Sequence, residues 1–363
     1  MADTRHLPEL TEVRAAHRLD LDVLANYFTS QLPQFGGALT ARQFKDGQSN
    51  PTFLLDAEAR QVVLRKKPPG DPLPGAHRIE REFRIISALA EHDVPVPGAL
   101  HLCEDESIIG TPFYVMEYVA GGVCLDPALP GMTAAERGAI YASMAEVLAQ
   151  LHGIDWQAAG LGDYGKHENY VARQIALWSR QYEASKTGEI AEMDRLMDWL
   201  PRNIPGGDET SLVHGDYRLG NVILAPEEQI APGAPSAPRI AAVLDWELST
   251  LGHPLTDLAY NCLPYHLATG DESLPGLRGA DISALGIPDE AAHVAAYCRA
   301  AGREDSIQDW PFYITFAMFR LASISQGIYA RALQGNASSA SAMDFGERAM
   351  RLAKLAWDNQ EAR

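Results

Sequence analysis

The fold of this chain is legible first in Leu212-Val213-His214-Gly215-Asp216-Tyr217-Arg218-Leu219-Gly220-Asn221-Val222-Ile223-Leu224. A histidine is followed two residues on by an aspartate and, five residues after that, by an asparagine, all between two short apolar runs. A short rigid loop with that spacing can aim a carboxylate and a neutral amide oxygen at one point, the first toward a hydroxyl and the second toward a metal ion. An ordinary Asp-Gly type turn with an incidental asparagine is the competing reading of the segment by itself.

The spacing is that of the protein-kinase catalytic loop HRDxxxxN, with glycine in place of arginine. Downstream, across a Pro- and Ala-rich loop expected at Ala225 to Pro238, the apolar run Ala242-Val243-Leu244 ends in Asp245-Trp246-Glu247. A strand-end aspartate there stands where a kinase keeps its second metal ligand. Mg²⁺ takes one or two carboxylates plus phosphate oxygens and water, so Asn221 with Asp245 makes a plausible donor pair. Taken alone, such an aspartate is more often a cap or turn former.

Upstream, Asp46-Gly47-Gln48-Ser49-Asn50-Pro51-Thr52 lies between two strand-like runs, where a phosphate-covering hairpin would sit; it lacks GxGxxG. In Val62-Val63-Leu64-Arg65-Lys66-Lys67, alignment with the VAIK strand puts Arg65 at the cation position, with Lys66 a second candidate. Strand side chains alternate faces, so the two cannot both point into one cleft. On the helix that follows, Glu82 is the expected partner of the cation and Glu80 competes with it. His214 reads as a structural residue that hydrogen-bonds backbone.

Periodicity organises the rest. Leu19 to Phe28 predicts a short helix; Ala41 to Lys45, Thr52 to Asp56 and Gln61 to Lys66 predict an antiparallel meander; His77 to His92 predicts a helix; two further strands flank Glu104 to Ser107, the second ending in Phe113 to Tyr118. Beyond Gly121-Gly122 the pattern turns helical: Ala134 to His152, Asn169 to Leu200 with a break near Lys186 to Gly188, Leu255 to Tyr265, Glu290 to Ala301, Trp310 to Leu333 and Ala340 to Asp358, interrupted by one short hairpin. The expected architecture is α+β and two-lobed, with a small antiparallel β lobe and one main helix over residues 1–118, and a larger helical lobe over residues 119–363.

Composition narrows the function. The 363 residues are 46% apolar and 21% charged, a globular balance. Lys plus Arg number 30 against 48 Asp plus Glu, for a net charge of −18, which disfavours nucleic acid and anionic membranes. The four cysteines are scattered without zinc spacing, and no apolar stretch is long enough to cross a bilayer or resemble a secretory leader, so a soluble cytoplasmic protein is expected.

With the pieces in this order, the chain resembles the aminoglycoside phosphotransferase and choline kinase superfamily of small-molecule kinases, where HGD replaces HRD. It is most similar to the phosphotransferase domain fused or adjacent to acyl-CoA dehydrogenases. That likeness lies in Arg65 to Gly70, His77, Arg81 to Phe83, Val94 to Pro97, Met116 to Tyr118 and Val243 to Tyr260, and spans roughly residues 30 to 335. The resemblance implies ATP and Mg²⁺ as cofactors and phosphorylation of an alcohol on a small-molecule acceptor. It implies Asp216 as the catalytic carboxylate, Asn221 and Asp245 as metal ligands, and an Arg65–Glu82 pair. Gln48, Ser49 and Asn50 would cover the phosphates, Met116, Glu117 and Tyr118 would form the hinge that reads adenine, and Asp257 would brace the catalytic loop. This branch favours a hydroxy acid or hydroxyacyl-CoA and a functional link to a separate acyl-CoA dehydrogenase. An aminoglycoside or choline-type cation is the alternative acceptor, and a nucleotide-binding pseudokinase the alternative of another class.

Overall fold

The structure is a computed structural model that describes residues 9–45, 50–58, 60–68, 78–225, 238–271, 274–304, 306–335 and 340–361. The chain is two-lobed and α+β. Its first lobe is built on one antiparallel six-stranded sheet, in the order β1-β2-β3-β4-β6-β5, from β1 (Leu10–Thr11), β2 (Leu39–Phe44), β3 (Thr52–Ala57), β4 (Arg60–Lys66), β5 (Ala99–Cys103) and β6 (Phe113–Glu117). β1 is too short for alternation to reveal, and it joins the edge by pairing Leu10 with Phe44.

Side-chain alternation splits the sheet into two faces. Phe53, Leu55, Val62, Leu64, Phe113 and Val115 pack outward against Leu24, Phe28 and Leu32 around α1 (Leu21–Gln31). Leu54, Val63, Tyr114 and Met116 face inward with Ile79, Ile85, Ile86 and Leu89 of α2 (Ile79–Leu89). The sheet is therefore covered on both sides, by the helix expected near Leu19 to Phe28 on the outside and the main helix of the lobe on the inside. This alternation also separates the two candidate cations. Arg65 shares the inner face with Val63, whereas Lys66 turns outward and lies 5.7 Å from the Phe53 ring centroid.

The link after β6 closes against the second lobe, where Gly122 bridges Leu224. Gly121 adopts φ +152°, and a Cβ there would stand 2.3 Å from the Leu224 carbonyl oxygen, so only glycine lets the link pass. The second lobe packs α3 (Ala134–His152), α4 (Tyr170–Ser185), α5 (Ala191–Arg202), α6 (Pro254–Cys262), α7 (Ile282–Leu285), α8 (Glu290–Ala300), α9 (Trp310–Leu333) and α10 (Phe345–Glu361). α3 starts at a full capping box, Thr133 with Glu136. Between these helices lie not one hairpin but two antiparallel pairs: β7 (Ser211–Val213) with β10 (Thr250–Gly252), and β8 (Val222–Leu224) with β9 (Ile240–Val243). β10 is three residues long and its partner precedes it by 37 residues, so local pattern does not announce it. Most of the expected loop from Ala225 to Pro238, and residues 69–77, lie outside the described residues. No described helix is long and apolar enough to cross a membrane.

Candidate active site

β7 and β8 deliver the two ends of the loop His214 to Asn221 to one place. Asp257 on α6 accepts from both leading amides, His214 N at 2.5 Å and Gly215 N at 2.8 Å. Burial would push the Asp257 carboxyl up, but His152, His214 and the Gly215 amide outweigh it and hold the group below the ordinary carboxylate value. Gly215 takes φ +86°, and a Cβ there would meet the Leu248 carbonyl oxygen at 2.8 Å, which accounts for glycine at this position.

His214 is buried, with Nδ1 accepting from the Asp216 amide (3.1 Å) and Nε2 beside the Leu244 carbonyl (2.9 Å). Those partners specify a neutral ring protonated on Nε2, and its centroid lies 4.6 Å from that of the Trp246 ring, the two planes tilted by 56°. It ties the loop to the end of β9, as does Leu244 N donating to Asn221 O at 2.8 Å.

Asp216 presents its carboxylate with a side chain 18% exposed, enough to meet a ligand. Its Oδ2 accepts from Asn221 Nδ2 (2.7 Å) and lies 3.3 Å from Arg218 Nε; the buried Tyr260 phenol stands close enough for this carboxylate to act on it. Burial and then Asp216 push the Tyr260 phenol up, keeping it neutral. Because Nδ2 of Asn221 is committed to Asp216 O and Oδ2, its Oδ1 is the atom turned away from these bonds.

Asp245 stands at φ +65°, ψ +63°, a left-handed conformation that costs an aspartate energy and that its surroundings must impose. Its Oδ1 accepts from Arg65 Nη2 at 2.8 Å, across the two lobes. Arg65 Nε sits 2.8 Å from Glu82 Oε2, and Glu82 is in turn held by Asn50 Nδ2 (2.7 Å) and the Tyr114 hydroxyl (3.1 Å). Burial opposes the Arg65 charge, yet Glu82, Tyr114, Asp245 and Glu247 raise its pKa further. Burial raises the Glu82 carboxyl, with Arg65 holding it back.

The expected residues thus fall into groups. Asp216, Asn221, Asp245, Arg65 and Glu82 converge in space, while Glu80 pairs instead with Arg78 and Lys67 at the surface. Asn50 is fully buried and its side-chain amide serves Glu82. Gln48 and Ser49 lie outside the described residues. Met116 is buried on β6 opposite Val63, and the exposed Glu117 donates its backbone N–H to Gly98 O at 2.9 Å, with Tyr118 beginning the link. Among the described residues no group of three or more His, Cys, Asp or Glu side chains is arranged as a metal site. Asp245 Oδ2 with Asn221 Oδ1 is nonetheless an all-oxygen, single-carboxylate pair of the kind that suits Mg²⁺ shared with phosphates.

Of the aromatic and cationic residues of the C-terminal helices that could line an acceptor pocket (Tyr170, Arg173, Trp178, Tyr260, Tyr265, Tyr313, Phe316, Arg320 and Tyr329), four gather beside the His214 to Asn221 loop. Arg320 on α9 is buried, lies 5.3 Å from the Trp178 ring centroid and 5.1 Å from that of Tyr260, and donates to Gly215 O. Tyr170 is buried close to Arg320. The others are occupied elsewhere: Tyr265 on Pro288 O, Tyr313 on His253, Phe316 in the core and Tyr329 against Gly346, while Arg173 lines a separate cavity of about 570 Å³ with Gly165 to Asn169. Sequence reasoning missed Tyr114, whose role follows from its register opposite Arg65, and Arg218, whose signal was its place two residues after Asp216.

Comparison with known proteins agrees with this geometry. A model of the phosphotransferase enzyme family matches residues 40–303. Acyl-CoA dehydrogenase family member 10 of Mus musculus is 46% identical over 353 residues, covering 97% of this chain but 32% of that protein. The chain therefore spans about a third of that relative's length. Among solved structures, a Ralstonia eutropha protein assigned as an aminoglycoside phosphotransferase is 48% identical with a TM-score of 0.84, covering 95% of this chain and 99% of that one. Choline kinase of Cryptosporidium parvum, at 12% identity and a TM-score of 0.62 over 94% of this chain and 96% of its own, shares the fold.

Proposed function

The chain belongs to the phosphotransferase enzyme family, and from that premise we propose that it moves the γ-phosphoryl group of Mg-ATP to an alcohol hydroxyl of a small molecule. The observation that carries this reading is the convergence of Asp216, Asn221 and Asp245 with the Arg65–Glu82 pair at one cleft between the lobes.

Roles follow from the geometry. Asp216 orients the acceptor hydroxyl and takes its proton, held in place by Asn221 and Arg218. Asn221 and Asp245 are the residues that would hold Mg²⁺, whose chemistry is to offset negative charge on the phosphates. Arg65, fixed by Glu82, presents a permanent cation to the same phosphates. Residues 1–118 act as the nucleotide lobe, with Gln48 to Asn50 over the phosphates and Met116 to Tyr118 as the adenine edge; residues 119–363 supply the catalytic loop and the acceptor site. The protein positions and stabilises, which is where phosphoryl-transfer catalysis chiefly comes from.

For the acceptor we favour a hydroxy acid or hydroxyacyl-CoA. Two guanidinium groups, Arg218 and Arg320, stand beside the catalytic loop, and no carboxylate of the described residues lies within ion-pair distance of Arg320. The likeness to an acyl-CoA dehydrogenase family member supports a functional link to an acyl-CoA dehydrogenase. A cationic acceptor of the aminoglycoside or choline kind is the second reading, favoured by the net charge of −18 and by the name of the Ralstonia relative. Four buried cysteines that form no disulfide accord with a reducing cytoplasm.

The test is ADP release from Mg-ATP over hydroxy acids, their CoA esters, choline, sugars and aminoglycosides, with product mass measured and Asp216→Asn as the blank. One class phosphorylated by the native protein alone supports the reading. No turnover of any class, with no binding of Mg-ATP, would remove it.

A further inference from the structure

Glu82 and its neighbour Arg81 point to different sides of α2, about 100° apart on the helix. Glu82 faces Arg65. Arg81 reaches the opposite lobe: its guanidinium stacks 4.0 Å from the Tyr164 ring centroid, and Nη2 donates to Tyr164 O (2.8 Å) and Ser249 O (3.3 Å). The contact is relayed further. The buried Tyr164 hydroxyl lies 2.6 Å from Ser249 Oγ, which donates to Trp246 O at 2.6 Å, and Trp246 Nε1 donates to Val243 O at 3.0 Å. Trp246 follows Asp245 directly and packs its ring, tilted, against His214. A second arginine one turn on, Arg84, donates to Gly160 O and pairs with Asp163 in the same loop.

One side of α2 thus holds the acid that orients Arg65, and the other is clamped to the turn that sets the left-handed backbone of Asp245. We propose that Arg81 is a positioning residue for phosphoryl transfer: by clamping α2 to Tyr164 and Ser249, it fixes Glu82 and Asp245 at the separation that the Arg65 guanidinium bridges. This rests on the phosphotransferase reading above. Arg81 itself touches none of Arg65, Asp216, Asn221 or Asp245 among the bonds described, so its effect must pass through Glu82 and the Trp246 turn.

A double-mutant cycle between Arg81→Met and Glu82→Gln tests it, read both as kcat/KM for ATP and as the Kd of Mg-ADP by calorimetry. Arg81→Met is expected to lower transfer about 10- to 30-fold and weaken Mg-ADP about 3- to 10-fold, yet to cost less than about 3-fold when Glu82→Gln is already present. Arg81→Lys keeps the charge and a nitrogen able to reach a carbonyl but loses the planar guanidinium over the Tyr164 ring, and should fall between; it serves if the methionine variant is poorly folded. Amide exchange across Ile79–Leu89 in the nucleotide-free protein should quicken in Arg81→Met. Losses that multiply fully in the double variant, or single variants with native kinetics and affinity, would overturn the proposal. A native protein that neither transfers phosphate nor binds Mg-ADP would instead remove the reading beneath it.

Discussion

Arg65 and Asp245, 180 residues apart in the chain, meet at 2.8 Å across the cleft, and Glu82 holds the same guanidinium from behind at 2.8 Å. One planar cation thus joins the inner face of the sheet, helix α2 and the end of β9. An ammonium could satisfy either carboxylate but not both with this fork. Arg65→Lys should therefore lower kcat/KM for ATP by about 10- to 100-fold, and Arg65→Met by more, measured by steady-state ADP release.

Asp257 takes two backbone N–H groups of the His214 to Asn221 loop while buried beside His152. Replacing it with alanine strands both donors, at an expected cost of about 3–5 kcal/mol in stability. Asp257→Asn keeps one acceptor oxygen and should cost about half as much; urea denaturation of the three proteins checks the order.

Gly215→Ala puts a side chain at φ +86° and within 2.8 Å of the Leu248 carbonyl. The expected cost is about 1–3 kcal/mol of stability, with a slower transfer step because Asp216 follows directly. Thermal denaturation with kinetics at saturating ATP reads both.

His293 on α8 is buried, with one ring nitrogen on Asn261 Oδ1 at 2.8 Å and Nδ1 unpartnered. Burial lowers its pKa to about 4 against the pull of Glu290, from an ordinary 6.5. The unfolded chain therefore binds this proton at pH values where the folded one does not. Its stabilising contribution is complete above pH 6.5 and is lost as pH falls toward 4, amounting to about 3 kcal/mol at full extent. His293→Gln should flatten the dependence of unfolding free energy on pH across that window; an unchanged slope would contradict the assignment.

What could be read from the chain alone depended on how local the determinant was. His214, Asp216 and Asn221 sit within eight residues, and the apolar run before Asp245 marks a strand end, so spacing carried them. Arg65 against Lys66 needed the face of the sheet, which alternation poses and only the packing of Val63 inward and Phe53 outward resolves. The partnership of Asn50 with Glu82 joins residues 32 apart, and β10 finds β7 across 37 residues, through pairing that no single segment encodes. The clamp at Arg81 was the least legible, since an arginine on an amphipathic helix reads as solvated until Tyr164 and Ser249 are brought to it.

On the proposed function, Asp216 serves a phosphoryl transfer to an alcohol. The most direct measurement is the mass of the product formed from Mg-ATP and a hydroxy acid or its CoA ester, by native protein and by Asp216→Asn. The expected result is a phosphorylated alcohol from the native protein and a rate lower by at least about two to three orders of magnitude in the variant. An Asp216→Asn protein within tenfold of the native rate would contradict it.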